Sequence, residues 1–414
     1  MSTWRFLVGN ARWLLGGFLL TLFSAFGQTW FISLSAGSIR AEHALSHGEF
    51  GSLYMAATLA SAFTLTRLGR AVDRFRTRTV VAFVIPMLAL AAAAMAWAHD
   101  IVLLVLAIYL LRLFGQGMMT HTAFTAAGRW FLAQRGRAVS FVTLGMNAGE
   151  ALIPLLFVTL SAAIGWRNSW LAASALLVLV ALPAVVLLVS AERGPRPADG
   201  ARHLSVVRDW TRAEVVRDPV FYLLILGVMP LAFIGNSIFF HQVYLTDLRG
   251  WSLEVFASSF TVMALMTVVF VIVSGHLVDR FTGVSLLPFY LLPLALACLL
   301  LGSFDGQWSA FAFMMLFGVS NGFSLTLYGS IWPEIYGLKD LGSIRALLVA
   351  IMVLASAVGP GLIGLLIDLG IDYPSMIVAM GAYCAGISVV MGHVVRRVDA
   401  RAGAILSEGS GHAS

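Results

Sequence analysis

Long apolar runs, separated by short polar or charged clusters, fill this chain from end to end. Twelve such runs can be traced: 13–34, 50–68, 79–98, 101–123, 138–161, 169–190, 219–241, 254–275, 284–303, 308–330, 344–367 and 374–395. A bilayer-crossing helix needs about 20 apolar residues, and a barrel strand only about ten. The runs have helical length and period, so the pattern predicts an all-α integral membrane protein with twelve transmembrane helices.

Composition narrows the class further. Of 414 residues, 60% are hydrophobic and 11% are charged, against about 25% charged in soluble domains. This excludes a soluble enzyme, a disordered protein and a disulfide-stapled secreted domain. So much apolar surface requires the bilayer as solvent. Cys298 and Cys384 lie inside apolar runs and read as packing residues. The net charge of +6 comes from basic residues set between apolar segments, which argues against nucleic acid as a partner. Arg5 and Arg12 precede a long apolar run with no small-residue cleavage site, so the first run is read as a retained span.

The loops set the orientation. With the N-terminus in the cytoplasm, 22 of the 26 Lys and Arg residues fall on the inner side. Only Arg40, Arg167 and Arg249 fall outside, and Arg112 lies within a span. Basic residues stay inside, so both termini are expected in the cytoplasm of a multi-pass inner (plasma) membrane protein. The 191–218 segment is the only long loop. It is read as a cytoplasmic linker between a bundle at 1–190 and a second at 219–395, with a short amphipathic helix at 204–216 and a tail at 396–414.

The two halves repeat one another. Gly69-Arg70-Ala71-Val72-Asp73-Arg74-Phe75 follows the second span, and Gly275-His276-Leu277-Val278-Asp279-Arg280-Phe281 follows the eighth. Phe114-Gly115 and Trp130 recur as Phe317-Gly318 and Trp332. Two six-helix bundles related by pseudo-two-fold symmetry are the expected plan for an alternating-access carrier.

These residues resemble the major facilitator superfamily. The Gly-x-x-x-Asp-Arg loop with Arg78 is similar to that family's signature between spans 2 and 3. Arg112, Gln116 and Gly117 resemble its fourth-span pattern, with Gly115 inserted. Arg76 stands where a glycine is usual, and Val284 stands where the second copy often has a basic residue. The fifth span lacks the Gly-Pro-x-x-Gly-Gly exporter pattern. Arg129-Trp130-Phe131, Arg135-Gly136-Arg137-Ala138 and Gly145-x-x-x-Gly149 are similar to the monocarboxylate and oxalate/formate branch, which implies a small organic acid as cargo.

Charges at bilayer depth are expensive and mark function. Only Arg112 and Glu150 lie deep within spans, on the fourth and fifth, at similar depth. Successive antiparallel spans are usually neighbours, so the two are expected to pair or approach in at least one state. Protonating Glu150 would then release Arg112 to bind a carboxylate with both arms of its fork. At about 100° per residue, Arg112, Gln116, Met119 and Ala123 share a stripe, and His121 falls opposite. Thr143, Asn147, Glu150 and Pro154 share another, as do Ser24, Gln28, Phe31 and Ser35, and Phe317, Asn321, Ser324 and Tyr328. Asn236 lies in the middle of span 7.

The substrate-binding candidates are therefore Gln28, Arg112, Gln116, Asn147, Asn236, Asn321 and Tyr328. Glu150, Arg112 and His241 are the proton-coupling candidates, His241 being placed at the outer end of span 7, where it reads as an interfacial anchor or an outer acceptor. Asp73, Arg74, Arg78, Asp279 and Arg280 are the gating candidates. Gly145/Gly149 and Gly318/Gly322 should permit close helix approach.

No phosphate-binding loop, HExxH or nucleophile elbow occurs, so no enzyme, metal or cofactor is expected. The partners expected are the lipid bilayer, a small-molecule substrate and protons, with the chain as a monomer. The reading is a proton-coupled secondary transporter of a small organic anion. The alternatives are a proton-driven exporter of drugs or toxic metabolites and a non-transporting receptor on the carrier fold.

Overall fold

The computed structural model describes residues 3–131, 134–191, 209–337 and 340–411, and no β-strand occurs among them. Nine of the described helices are long and apolar enough to cross a membrane, or ten if the bent pair Ala11–Gly27 and Thr29–His43 is one span. Two further runs from the sequence complete the set. Span 2, His47–Leu68, is long enough but opens with polar residues. Span 9 is apolar but regular only over Leu292–Ser303, because residues 283–291 before it form a short helix and turns.

Local chemistry sets the helix ends. Ser46 and Glu49 form a reciprocal capping box at the start of span 2. Asp100 accepts from the Leu103 amide at the start of span 4. Gly165 (φ 82°) and Gly337 (φ 81°) end spans 5 and 10 in the left-handed region that favours glycine.

By backbone contact the chain divides into two compact units. The first holds Met1–Ala201 together with Phe239–Thr261 and Pro360–Leu369, and the second holds Arg202–Ile238, Val262–Gly359 and Gly370–Ser414. The first unit thus contains the N-terminal six spans and also the ends of spans 7, 8 and 11 opposite the basic loops. Those ends are knitted into it by buried polar contacts. Ser33 Oγ donates to the Phe239 carbonyl at 2.6 Å, and Gln242 Nε2 donates to the Trp30 carbonyl at 2.7 Å. A Cβ on Gly51 would lie 2.6 Å from the Pro360 carbonyl oxygen.

Glycine pairs seat the crossings inside each unit, as the small-residue spacing requires. In the first, a Cβ on Gly145 would meet the Phe18 carbonyl oxygen at 2.1 Å, and one on Gly149 the Leu22 carbonyl oxygen at 2.9 Å. Span 5 therefore lies directly on span 1. In the second, Gly318 and Gly322 place span 10 against the Met263 and Thr267 carbonyls of span 8.

The tail and the linker differ from the apolar pattern. Span 12 continues as one helix, Tyr373–Gly411, past the residue where its apolar run ends. Leaving the apolar layer does not interrupt backbone hydrogen bonding, and the extension is anchored. Arg401 grips Asp218 with both terminal nitrogens at 2.8 and 2.9 Å. Asp218 is buried and also accepts from Tyr336 Oη at 3.1 Å and from the Val220 amide at 3.1 Å. Burial alone would raise the Asp218 carboxyl, but hydrogen bonds from Arg401, Val220 and Tyr336 outweigh it and hold the group below the usual carboxylate range. Of the helix expected over 204–216, residues 204–208 lie outside the described residues. The remainder forms a shorter helix, Arg212–Arg217, opened by a Thr211/Glu214 capping box.

Candidate functional site

Span 1 is broken at its middle. Residues Ser24–Gly27 form a 3₁₀ turn, Gln28 is extended (φ −81°, ψ 150°), and the helix resumes at Thr29 with a bend of 47°. The cause is a backbone-to-backbone crossing with span 4. A Cβ on Gly27 would stand 2.2 Å from the Leu111 carbonyl oxygen, and one on Gly115 would stand 2.6 Å from Gly27 Cα. A break in a span frees carbonyls that need donors.

Arg112 supplies one. It is 4% exposed, and its Nη1 donates to the Gly27 carbonyl at 3.3 Å and to Thr29 Oγ1 at 3.1 Å. Thr29 Oγ1 also accepts from Tyr54 Oη at 2.9 Å, and the Tyr54 ring lies 5.5 Å from the guanidinium carbon. Arg112 Nε is buried without a partner.

Span 4 departs from α geometry at this point. Leu111–Met119 is a π-helix, a wide turn that recurs at functional sites. Thr120 Oγ1 donates to the Gln116 carbonyl and, at 3.1 Å, to the Gly117 carbonyl, closing the loosened turn. A phase computed at 100° per residue drifts through such a segment. Arg112, Met119 and Ala123 are buried as the wheel requires, Gln116 is half-buried and His121 is exposed.

Glu150 does not form an ion pair with Arg112. One of its carboxyl oxygens, Oε2, is fully buried and has no hydrogen-bond partner. Spans 4 and 5 are neighbours, as expected, through Thr120–Trp130, but at the depth of Arg112 span 1 contacts both: Gly115 of span 4 meets it at Gly27, and Gly149 of span 5 meets it at Leu22. Asn147 and Gln28 are buried in the same unit. The structure thus gathers Gln28 and Arg112 at the break and leaves Glu150 on the neighbouring helix.

The candidates in the second unit have partners of their own. Asn236 Nδ2 donates to the Ala232 carbonyl of its own helix at 2.8 Å, and Asn321 Nδ2 donates to Thr267 Oγ1 at 3.3 Å. Tyr328 Oη donates to the Val228 carbonyl at 2.8 Å. This last bond belongs to a larger device. Pro230 has no N–H, which leaves the Leu226 carbonyl without its helical partner. Tyr383 donates to Leu226 at 3.0 Å, Tyr290 to Gly227 and Tyr328 to Val228, so three hydroxyls serve three consecutive carbonyls in the turn before Pro230.

His241 is not at a water-facing rim. It is 3% exposed, and its Nε2 donates to the Pro360 carbonyl at 3.1 Å. The His47 ring lies 5.9 Å away. Beside it, Asp368 caps the start of span 2, accepting from Ser46 Oγ at 2.6 Å and from the Gly48 and His47 amides at 2.8 and 3.1 Å. Asp73, Arg74, Arg78, Asp279 and Arg280 are exposed. Glu334, not singled out in the sequence, accepts from the Gly283 and Val284 amides at 3.1 Å each, capping the helix after the second loop repeat. Its position after Trp332-Pro333 was the available signal.

A broken span with a buried arginine at the break is a feature of many carriers. The sequence matches the Major Facilitator Superfamily over residues 17–290 and 236–413, and the chain belongs to that family. It is similar in structure to a bacterial homologue of the human lysosomal transporter Spinster, in an inward-facing and occupied conformation (17% identity, 96% of each chain, TM-score 0.67). It is also similar to the D-xylose-proton symporter (18% identity, 91% of this chain and 96% of that one, TM-score 0.68) and to the nucleoside transporter NupG (12%, 93% and 99%, 0.66). No curated protein sequence matches it. The protein is a transporter, not an enzyme.

Proposed function

We propose that the chain is a proton-coupled secondary transporter that carries a small, monocarboxylate-like organic anion by alternating access. The observation that carries this reading is a pair of opposite buried charges in one unit that do not satisfy each other. Arg112 is held on the broken backbone of span 1 with Nε unmet, and Glu150 Oε2 is unmet on span 5. Unpaired polar atoms in an apolar medium are unfavourable. An anion at the guanidinium fork would meet the Arg112 donor, a proton on the carboxylate would remove the buried charge of Glu150, and together they add no net charge to the bundle. Proton coupling has a parallel in the xylose-proton symporter. Neither that name nor NupG names an acid, so the anion rests on Arg112.

In this reading the charge bias sets both termini in the cytoplasm of the plasma membrane, and the chain works as a monomer. The ends of spans 7, 8 and 11 knitted into the first unit then form the closed outer gate, and the two Asp-Arg loops act at the inner gate. The protein in proteoliposomes, loaded at alkaline pH and diluted into acid, is the test. Labelled lactate, glycolate or oxalate should accumulate, and a protonophore should release it. Uptake indifferent to the gradient rejects proton coupling. No uptake of any acid, with altered drug resistance in an overexpressing strain, favours the exporter.

A further inference from the structure

A second basic site lies away from Arg112. A cavity of about 600 Å³ opens between the start of span 3 and the end of span 6, lined by Arg76, Arg78, Thr79, Ala82 and Ser190. Arg76 and Arg78 are exposed, and among the described residues neither has a side-chain partner. Arg12, the third cation nearby, is committed elsewhere: its guanidinium donates to the Leu188 and Leu187 carbonyls at 2.8 and 2.7 Å and to Ser190 Oγ.

The acidic residue nearest in the chain is Asp73, three positions before Arg76, and none lies in the helix that follows. Arg76 occupies the cap position of the 20-residue helix Thr77–Ala96, whose first turn holds no acidic residue and no side-chain cap. Two cations therefore sit at the positive end of a helix dipole, where an anion is favoured. Arg76 stands where the loop signature that this chain resembles usually has a glycine, and it is not among the gating candidates.

The surroundings show what kind of anion fits. Phe83 lies one helical turn beyond Thr79 and is 52% exposed; Leu187, three residues before Ser190, is 70% exposed. Phe75 beside the cavity is 57% exposed. A polar, positively charged mouth thus runs into bare apolar surface on the same helices, the profile of a phospholipid rather than of a free ion. We propose that the Arg76/Arg78 cavity binds the phosphate headgroup of an anionic phospholipid, with its acyl chains lying along Phe83 and Leu187. The guanidinium forks supply paired donors for phosphate oxygens, and Thr79 offers a hydroxyl; the Ser190 hydroxyl is already used on the Leu187 carbonyl and Arg12.

Native mass spectrometry of the purified full chain tests this, with diphosphatidylglycerol, phosphatidylglycerol or phosphatidylcholine added at equal concentration. The wild type should retain the anionic lipids over phosphatidylcholine by on the order of ten-fold. Arg76→Gln/Arg78→Gln should lose that preference, while Arg396→Gln/Arg397→Gln keeps it. Equal retention of all three lipids by the wild type, or unchanged preference in the Arg76/Arg78 double variant, overturns the proposal. If the double variant does not fold, Arg76→Gln alone must reduce the preference, and added salt must reduce it in the wild type; failure of either overturns it too. Inorganic phosphate raising Tm as much as the lipids do, in a manner lost with Arg76→Gln, assigns the cavity to a soluble anion and overturns the lipid.

Discussion

Arg112 meets Gly27 as guanidinium donor and main-chain acceptor, 3.3 Å apart, at the point where span 1 stops being a helix. That contact makes the deepest cation of the first unit a brace for broken backbone as well as a candidate ligand for an anion. Arg112→Ala leaves the Gly27 carbonyl short of a donor in a dry site, a loss of about 1–3 kcal/mol. The expected result is a Tm lowered by several degrees in detergent. Arg112→Lys keeps the charge without the planar fork, so it should recover part of the Tm and still lose about ten-fold or more in carboxylate affinity. Thermal unfolding and ligand titration on the same preparations separate the two roles.

The crossing that breaks span 1 tolerates no side chain. Gly27→Ala would drive a Cβ to 2.2 Å from the Leu111 carbonyl oxygen and 2.6 Å from the Gln116 amide nitrogen. Both obstacles are backbone and have little room to yield. The substitution should cost several kcal/mol, seen as loss of monodisperse protein on size exclusion. Gly136→Ala, with nothing within 4 Å of its Cβ, should behave as wild type.

The Asp218–Arg401 grip gives a pH-dependent contribution to stability. The Asp218 carboxyl is held below its usual range in the folded state. The contribution is therefore fully present above the unfolded value of about 3.9 and is lost as pH falls through the folded value. Asp218→Asn should lower Tm by a few degrees between about pH 5 and 8. The gap to wild type should close in acid below about pH 4. A gap that widens in acid contradicts the account.

Asp368 holds the start of span 2 through the Ser46 hydroxyl and two amides. Hydrogen bonds to a charged acceptor contribute about 1.5–3 kcal/mol. Asp368→Ala should therefore speed hydrogen exchange at the His47 and Gly48 amides by more than about ten-fold. Exchange in the Leu292–Ser303 helix should not change.

The parts of this molecule that repeat with helical period were legible in the sequence. The apolar runs, the glycine pairs 145/149 and 318/322, and the isolation of Arg112 and Glu150 follow from burial and spacing alone. The partners of those charges did not. No proline marks the break at Gln28, since its cause is a contact with Gly115 far along the chain. The π turn at Leu111–Met119 spoils any fixed-angle wheel, and spans 4 and 5 meet through Thr120–Trp130, not at the depth of Arg112, where span 1 contacts both. Tyr328 looked like a cavity residue because its polarity showed while its acceptor, a carbonyl next to Pro230, did not. Asp218 and Asp368 sit at helix ends, and nothing in the spacing of the sequence points to the distant groups they hold.

Proton coupling through Glu150 is tested most directly by comparing wild type and Glu150→Gln in the same proteoliposomes. Two labelled-lactate assays are needed: accumulation driven by an imposed pH gradient, and counterflow exchange with no gradient. The account predicts that Glu150→Gln loses accumulation while keeping a substantial part of the counterflow. A variant that accumulates lactate as the wild type does contradicts it.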